Sequence, residues 1–312
     1  MPAILTITMN PAVDVFTSTV RVQPAHKLRC GAALVHPGGG GINVARVVQR
    51  LGGDALAVFP AGGVSGRQLQ NLLDQEHLPH RCIAIAADTR QSFTAHESSS
   101  GQDFRFVLPG PQLTEPEWLA CLAFVQAIAP APRWLVASGS LPPGVPVDFH
   151  ARLARLARER GCLMVLDSSG DALAAALAQG VYLVKPSLRE LRDLTGMPLP
   201  TQADWLGAAR QIIQRGQAQV VALSLGEQGA LLVTADLALR APALDVPVAS
   251  TIGAGDSFLA GLVWALGGQG DLARALRYGM AAGAAALLVE GTALSQAQDV
   301  QRLYTQATVV AL

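Results

Sequence analysis

Residues 250–258 read Ser-Thr-Ile-Gly-Ala-Gly-Asp-Ser-Phe and lead directly into an apolar stretch with helical spacing. Glycine and alanine at the start of a helix leave the first backbone N–H groups unobstructed, and the helix dipole favours negative charge there. The segment therefore predicts an anion-binding turn formed by Gly253, Ala254 and Gly255. Asp256 follows in the first helical turn, where a carboxylate can take the proton from an attacking hydroxyl group. An aspartate that only caps the helix is the alternative.

A second glycine-rich segment, residues 37–46, reads Pro-Gly-Gly-Gly-Gly-Ile-Asn-Val-Ala-Arg and also opens a helical stretch. The glycines predict a close approach of a ligand to the backbone rather than a packing feature. Asn43 offers both a donor and an acceptor to sugar hydroxyl groups. Dinucleotide binding is an alternative for a glycine run before a helix, but the expected GxGxxG spacing is poorly met, and no Gly-Lys-Ser/Thr of a Walker loop follows.

Apolar, strand-like runs alternate along the chain with stretches of helical periodicity. The strand-like runs are 4–9, 55–60, 134–137, 163–167, 182–185 and 220–225, and the helical stretches are 42–51, 67–75, 147–160, 203–215 and 256–266. This alternation predicts an α/β fold in three layers, with a mostly parallel central sheet and a ligand site at the carboxyl ends of its strands. Segments 14–36 and 89–108 break the rhythm and predict a small antiparallel β lid within one domain over 1–312.

The composition favours small-molecule partners. Lys+Arg and Asp+Glu balance at 23 each, so the chain lacks the basic excess that drives binding to nucleic acid or to anionic membranes. No apolar run reaches the roughly 20 residues of a membrane span. The cysteines, Cys30, Cys82, Cys121 and Cys162, show no CxxC spacing, and no secretory signal precedes them, which favours a reducing, cytoplasmic location.

Several ordered motifs resemble those of the ribokinase-like (PfkB) carbohydrate kinases. Besides the two glycine-rich segments they are Asn-Pro-Ala-Val-Asp at 10–14, Ser-Gly-Ser-Leu-Pro-Pro-Gly at 138–144, Lys-Pro-Ser-Leu-Arg-Glu at 185–190 and Ser-Leu-Gly-Glu-Gln-Gly at 224–229. The resemblance runs over nearly the whole chain. It implies a ribokinase-like three-layer fold and an enzyme that uses ATP and Mg²⁺ to phosphorylate a sugar.

On the sugar side, the resemblance assigns two groups of residues. The residues that bind the sugar hydroxyls are Asp14, Gly39, Gly40 and Asn43, and those on or near the substrate phosphate are Lys27, Arg90 and Ser140, with Arg105 a weaker lid candidate. The strings around Lys27 and Arg90, and Gly41 in the glycine run, most resemble members that phosphorylate fructose 6-phosphate at its 1-hydroxyl group. Kinases acting on tagatose 6-phosphate or fructose 1-phosphate are the alternatives, and these usually read Gly-Gly-Lys-Gly there.

On the nucleotide side, the resemblance implies that Lys185 approaches the ATP phosphates. The residues around the ribose and phosphates are Ser224, Gly226, Gly229 and Thr251, and those that wall the adenine are Met280 and Ala284. Glu190 organises Mg²⁺ through water. Ser187 replaces the asparagine usual in the family, and its shorter side chain implies a weaker or water-mediated phosphate contact.

The resemblance also implies a potassium site and a homodimer. The oxygens proposed to hold K⁺ belong to Ser250, Ile252, Ala286 and Gly291. The homodimer would join through the exposed lid strands. Two readings from other classes stay open at this stage: a catalytically silent sensor of sugar phosphates or nucleotides on the same scaffold, and a nicotinamide-dependent dehydrogenase.

Overall fold

The computed structural model describes residues 3–268 and 271–312. The predicted single domain over 1–312 therefore includes positions 1, 2, 269 and 270, which lie outside the described residues. The strands are β1 (Ile4–Ile7), β2 (Ala12–Thr19), β3 (Leu34–Gly38), β4 (Ala55–Ala61), β5 (His80–Ala84), β6 (Arg90–Glu97), β7 (Gln102–Val107), β8 (Trp134–Ser138), β9 (Leu163–Asp167), β10 (Val181–Val184), β11 (Ala218–Ser224), β12 (Ala230–Val233), β13 (Ala238–Ala241) and β14 (Val310–Ala311).

The helices lie between these strands and after the last long one. They are α1 (Gly40–Arg50), α2 (Gly63–Gln75), α3 (Glu115–Ala127), α4 (Phe149–Glu159), α5 (Gly170–Leu177), α6 (Leu188–Thr195), α7 (Gln202–Gln214), α8 (Ala254–Gly267), α9 (Leu272–Ala286) and α10 (Ala297–Tyr304). A short 3₁₀ turn spans Gly226–Gln228.

The central sheet has ten strands in the order β14-β13-β12-β11-β10-β9-β8-β1-β4-β5. Every pairing from β11 to β5 is parallel, whereas β12, β13 and β14 add to the other edge in antiparallel fashion. The predicted α/β fold with a mostly parallel sheet is confirmed. The carboxyl ends of β1, β8, β9 and β10 consequently meet at one edge, as the site prediction requires.

Side chains of each central strand alternate between two hydrophobic cores. In β8, Trp134 and Val136 join the core under α1, α8 and α9, whereas Leu135 and Ala137 join the core under α3, α4 and α7. All four are at most 2% exposed. Because both faces are covered, these strands read as continuous apolar runs rather than as polar–apolar alternation.

The lid is a separate sheet of four strands in the order β3-β2-β6-β7. Its outer pairs are antiparallel, but its central pair is parallel, with Ala12 beside Arg90 and Thr19 beside Glu97. The expectation of a purely antiparallel lid is corrected on this point. The parallel pair arises because β2 and β6 both leave the core from the same edge, each following a strand of the central sheet.

Within 3–268 and 271–312, no helix is both long enough and apolar enough to cross a bilayer.

Candidate active site

Asp256 lies in the first turn of α8, immediately after the glycine turn. Gly253 is the N-cap and has a φ of 76°, a left-handed conformation that side-chain-bearing residues rarely adopt. A side chain on Gly253 would also collide with Leu294. The half-buried Asp256 carboxylate accepts a hydrogen bond of 2.8 Å, through Oδ2, from Asn43 Nδ2. The two glycine-rich segments, more than two hundred residues apart, therefore meet at this carboxylate.

The environment of Asp256 favours a proton acceptor that works near neutrality. Loss of hydrating water raises the pKa of Asp256 to about 7, and the neighbouring Asp167 carboxylate acts in the same direction. The Asn43 hydrogen bond and the Lys185 ammonium oppose this rise. A carboxylate with such a pKa is matched to general-base catalysis at physiological pH.

Lys185 follows β10 and points at the start of α8. Its ammonium is 3.1 Å from Asp167 Oδ1 and lies 3.9 Å from the position that a Cβ on Gly255 would occupy. Burial acts to lower the Lys185 pKa, but the attraction of Asp167, with that of Glu190 and Asp256, outweighs it and the pKa is raised. Lys185 therefore remains a cation beside the glycine turn, although it is only 5% exposed.

The four glycines at the start of α1, Gly38 to Gly41, are packing positions, which corrects the sequence-based reason given for them. A Cβ on Gly39 would lie 2.6 Å from Thr8 Cγ2, and one on Gly41 would lie 2.6 Å from Thr8 Oγ1. A Cβ on Gly40 would overlap Ser138 Oγ. The run lets the start of α1 rest on the ends of β1 and β8, and its sugar-binding role stays a prediction.

Asp14 lies on the lid strand β2 with its carboxylate against the Cα of Gly38, so that a side chain there would overlap it. Burial raises the pKa of Asp14, while Arg105 and Arg90 oppose the rise. The exposed Arg105 thus contributes charge to this end of the lid. Asp14 therefore lies beside Gly38 and Asn43 follows the glycine run on α1, and their binding of one sugar stays a prediction.

Arg90, Ser140 and Asn10 line one cavity of about 590 Å³ beside the lid. Arg90 donates to the carbonyls of Leu108 (2.7 Å) and Asn10 (2.9 Å), and Asn10 Nδ2 donates to Ser140 Oγ at 3.2 Å. Arg90 Nε is buried without a partner in the described structure. Two residues assigned to the substrate phosphate are therefore joined at one opening.

Lys27 is not brought into this cavity. It is exposed on the segment between β2 and β3, and no hydrogen bond or ion pair of its ammonium is found within 3–268 and 271–312. Its predicted contact with the substrate phosphate stays a prediction.

Ser187 and Glu190 form a capping box at the start of α6. Ser187 N and Oγ donate to Glu190 Oε2 at 2.8 and 2.9 Å, and Glu190 N donates back to Ser187 Oγ at 3.2 Å. The hydroxyl group of Ser187 is therefore engaged in helix capping. In the described part of the chain, no group of three His, Cys, Asp or Glu side chains could hold a metal ion. Mg²⁺ held by Glu190 through water stays a prediction.

The remaining residues predicted to bind the nucleotide lie on the loop after β11, just before α8 and on α9. Ser224 forms a β-bridge with Ser187, which brings this loop to the Lys185 segment. A Cβ on Gly226 would face open space, whereas one on Gly229 would overlap the backbone of Ala241. Gly226 is therefore the glycine that leaves room for a ligand. Thr251 is exposed just before the glycine turn, and Met280 and Ala284 are buried on α9, which packs on α8, β12 and β13.

The residues predicted to hold K⁺ lie on two neighbouring segments, one just before α8 and one at the end of α9 and after it. Ser250 N and Ala249 N donate to Leu287 O, directly after Ala286, the last residue of α9. Ser250 Oγ also donates to the lid residue Asp103 at 3.1 Å and accepts from Ile252 N at 3.2 Å. Gly291 packs against Phe16 of the lid. The structure brings these segments together, and the cation site stays a prediction.

Sequence reasoning missed Asp167, Asn10 and Ser138. Asp167 ends β9, pairs with Lys185 and accepts a hydrogen bond from Ser138 Oγ at 3.4 Å. An aspartate at the carboxyl end of a buried parallel strand is a recognisable signal for a residue of the ligand site.

Known proteins resemble this chain over most of its length. A model of the pfkB family of carbohydrate kinases matches residues 7–299. ATP-dependent 6-phosphofructokinase isozyme 2 from Mycobacterium tuberculosis is 46% identical over 306 residues, which cover 98% of this chain and 90% of that protein. The 1-phosphofructokinase from Xanthomonas campestris is 35% identical over 84% of this chain and 83% of its own length.

Among solved structures, phosphofructokinase-2 from Escherichia coli has a similar fold. Its complex with potassium superposes with a TM-score of 0.93 at 42% identity, and its complex with fructose-6-phosphate with 0.92 at 40% identity; each comparison covers 98% of this chain and 99% of the other. A tetrameric inhibited form of the same protein gives a TM-score of 0.90 at 40% identity, with the same coverage.

Proposed function

Because the chain belongs to the pfkB family of carbohydrate kinases, we propose that it transfers the γ-phosphoryl group of ATP to the 1-hydroxyl group of fructose 6-phosphate, giving fructose 1,6-bisphosphate and ADP. The name of the Mycobacterium tuberculosis relative and the fructose-6-phosphate complex of the Escherichia coli protein support this acceptor. The reaction is the phosphofructokinase step of glycolysis.

One observation carries the proposal: a carboxylate with a pKa near neutrality lies at the N-terminus of α8, next to a buried lysine ammonium. Asp256 takes the proton of the 1-hydroxyl group. The hydroxyl oxygen bonds to the γ-phosphorus of ATP as the bond between that phosphorus and the β-phosphate oxygen breaks, which releases ADP. The N–H groups of Ala254 and Gly255 stabilise the charge on the transferring group, and Lys185 adds a fixed cation.

The sugar is held between the lid and the start of α1. Asp14 and Asn43 bind its hydroxyl groups, while the backbone of Gly39 and Gly40 shapes the floor beneath it. Asn43 thus contacts both the acceptor and the base, which fixes the distance between them.

The phosphate end of the sugar lies in the 590 Å³ cavity, where Arg90 and Ser140 face it. Arg90 keeps N–H groups beyond those given to the two carbonyls, since a guanidinium has five donors. Lys27 adds a second positive charge from the lid segment.

ATP lies along the loops after β10 and β11. The open Cβ position of Gly226 fits the close approach of a nucleotide, and Gly229 shapes the same loop. The phosphates and ribose lie along Ser187, Ser224 and Thr251. The adenine lies beside Met280 and Ala284. Glu190 would hold Mg²⁺ through water, and the ion would offset phosphate charge. The potassium complex of the Escherichia coli protein supports binding of K⁺, and the oxygens of Ser250, Ile252, Ala286 and Gly291 would hold the ion.

We also propose a cytoplasmic homodimer that joins through the lids. Phe106 and Val107 on β7 are 57% and 56% exposed, and Phe93 on β6 packs beside Phe106. Such an apolar face on a small sheet favours a partner surface. The cysteines are all unpaired, in keeping with a reducing compartment.

A coupled assay of ADP release tests the proposal. Fructose 6-phosphate, tagatose 6-phosphate and fructose 1-phosphate are compared by kcat/KM, with Mg²⁺ present and K⁺ varied. We expect fructose 6-phosphate to exceed the other two by at least about tenfold. A preference for either other sugar would replace the acceptor but not the chemistry, and absence of ADP release with every sugar would support the silent sensor.

A further inference from the structure

A cluster of charged side chains joins α1 to the end of α2, next to the glycine run; its central arginine is buried and its other members are partly exposed. We call Arg46, Arg50 and Glu76 the arginine–glutamate cluster. The Arg46 side chain has no exposed surface and pairs through two nitrogens with Glu76, at 2.8 Å (Nε to Oε2) and 2.6 Å (Nη2 to Oε1). Arg50 Nη2 is 3.4 Å from Glu76 Oε2. Neither the sequence motifs nor the proposed mechanism accounts for this cluster.

The remaining donor of Arg46 points away from Glu76 and towards the site. Its Nη1 donates to Pro37 O at 3.1 Å, to Thr292 O at 3.0 Å and to Asn43 Oδ1 at 3.4 Å. Pro37 directly precedes the glycine run, and the Thr292 side chain acts to lower the pKa of Asp14. Arg46 Nη1 therefore contacts residues before and after the glycine run, Pro37 and Asn43, and also the segment of Thr292.

The contact with Asn43 fixes which end of its amide faces the base. Arg46 can only donate and an ionised carboxylate can only accept, so the Asn43 oxygen must face Arg46 and its nitrogen must face Asp256. The 2.8 Å donation to Asp256 Oδ2 depends on this orientation. Without Arg46, the Asn43 oxygen would lose this donor, and only the contact with Asp256 would hold the orientation of the amide.

We propose that Arg46, held by Glu76, is a positioning residue for phosphoryl transfer: it orients the Asn43 amide that in turn holds Asp256. This inference rests on the proposed function. A purely structural role explains it less well, since buried ion pairs contribute little net stability compared with apolar side chains of similar volume. The contacts of Nη1 also go to the site rather than to the Glu76 side.

Arg46→Lys tests the inference, with Arg277→Lys as the matched control. Arg277 is partly buried and donates to the carbonyls of Ala307 and Tyr304, away from the site. A lysine at position 46 cannot reach Glu76 and Asn43 together. We expect kcat with fructose 6-phosphate to fall by about ten- to a hundredfold, and KM for ATP to change by less than about threefold. Arg277→Lys should keep both values.

The dependence of kcat on pH distinguishes the positioning role from a merely structural one, because a structural role would not shift its acidic limb. The Asn43 donation lowers the Asp256 pKa, against Asp167 and Asp14, which raise it, and beside Lys185, which lowers it. Loss of that donation should shift the acidic limb of kcat to higher pH in Arg46→Lys. Around Arg46 itself the charged and titratable groups are Glu76, Arg50, His36 and Asp14.

Two outcomes separate this inference from the proposed function. If the wild type releases no ADP with any sugar, the proposed function fails. If the wild type shows the acidic limb and Arg46→Lys keeps both that limb and kcat, only the positioning role is wrong. Should Arg46→Lys fail to fold, Glu76→Gln gives the same test at a site 26% exposed, with an expected loss of about three- to tenfold in kcat and a shift of the limb in the same direction.

Discussion

At the start of α1, the Cβ positions of the glycine run are filled by atoms of Asp14, Thr8 and Ser138, whereas at the start of α8 the nearest atom to the Cβ position of Gly255 is the Lys185 ammonium, at 3.9 Å. Both helices begin at glycine-rich turns beside the same carboxylate. In the first turn, glycine lets the chain rest on two strand ends. In the second turn, Gly255 leaves the backbone open on the side that faces the Lys185 ammonium. A glycine-rich helix start thus has two physical meanings, and only the surroundings distinguish them.

The largest effect should come from the carboxylate that lies between these two turns. Asp256→Asn removes the proton acceptor but keeps the shape, so we expect kcat to fall by about a thousandfold with little change in Tm. Asp299→Asn, in the first turn of α10, is the control, because among the described residues that aspartate pairs only with the exposed Arg302. A mutant with near-normal turnover would leave α8 with a capping aspartate only.

Gly255→Ala sharpens the comparison at the open turn. The added methyl group meets no backbone, and alanine is the better helix former, so stability should be equal or higher by up to about 1 kcal/mol. The methyl group would stand before Lys185 in the path of the transferring group, and kcat should fall by about ten- to a hundredfold. Stability is measured by thermal melting and kcat by ADP release. An unchanged kcat would contradict an anion site at this turn.

Gly40→Ala is the matching change at the packed turn. Its methyl group would overlap Ser138 Oγ, so the free energy of unfolding should fall by about 1 to 3 kcal/mol, as measured by denaturant unfolding. Gly207→Ala on α7, where a Cβ meets nothing within 4 Å, should be neutral or stabilising. Equal stability of Gly40→Ala and the wild type would contradict the packing role of the run.

Ser187→Asn should have the smallest effect. Asparagine caps a helix as well as serine does, so stability should stay within about 0.5 kcal/mol. The longer amide reaches further towards the nucleotide, and KM for ATP should fall by no more than about threefold. A large loss of activity would mean that the Ser187–Glu190 box serves the nucleotide site in a way that asparagine cannot reproduce.

The fold and the position of Asp256 at the start of a helix were predictable from sequence because their signals are local. The apolar runs of the central strands and the order Gly-Ala-Gly-Asp before an apolar helix lie within a few neighbouring residues. The predicted helix over 256–266 and the observed α8, Ala254–Gly267, differ only at their ends.

The partners of the glycine run were not predictable in the same way. Thr8 and Ser138 contact it only because β1 and β8 are neighbours in the sheet. Asp167 meets Lys185 for the same reason, since β9 and β10 pair in parallel. The direction of β6 beside β2 in the lid also depends on tertiary topology, which residue patterns do not specify.

The pH dependence of the chemical step tests the central claim most directly. Single-turnover phosphoryl transfer to fructose 6-phosphate is followed from about pH 5 to about pH 9 in the wild type. Since Asp256 must be ionised to accept the proton and its pKa is about 7, the rate should fall about tenfold for each pH unit below neutrality and level off above it. A rate that stays constant from about pH 5 to about pH 8 would contradict the role of Asp256 as the base.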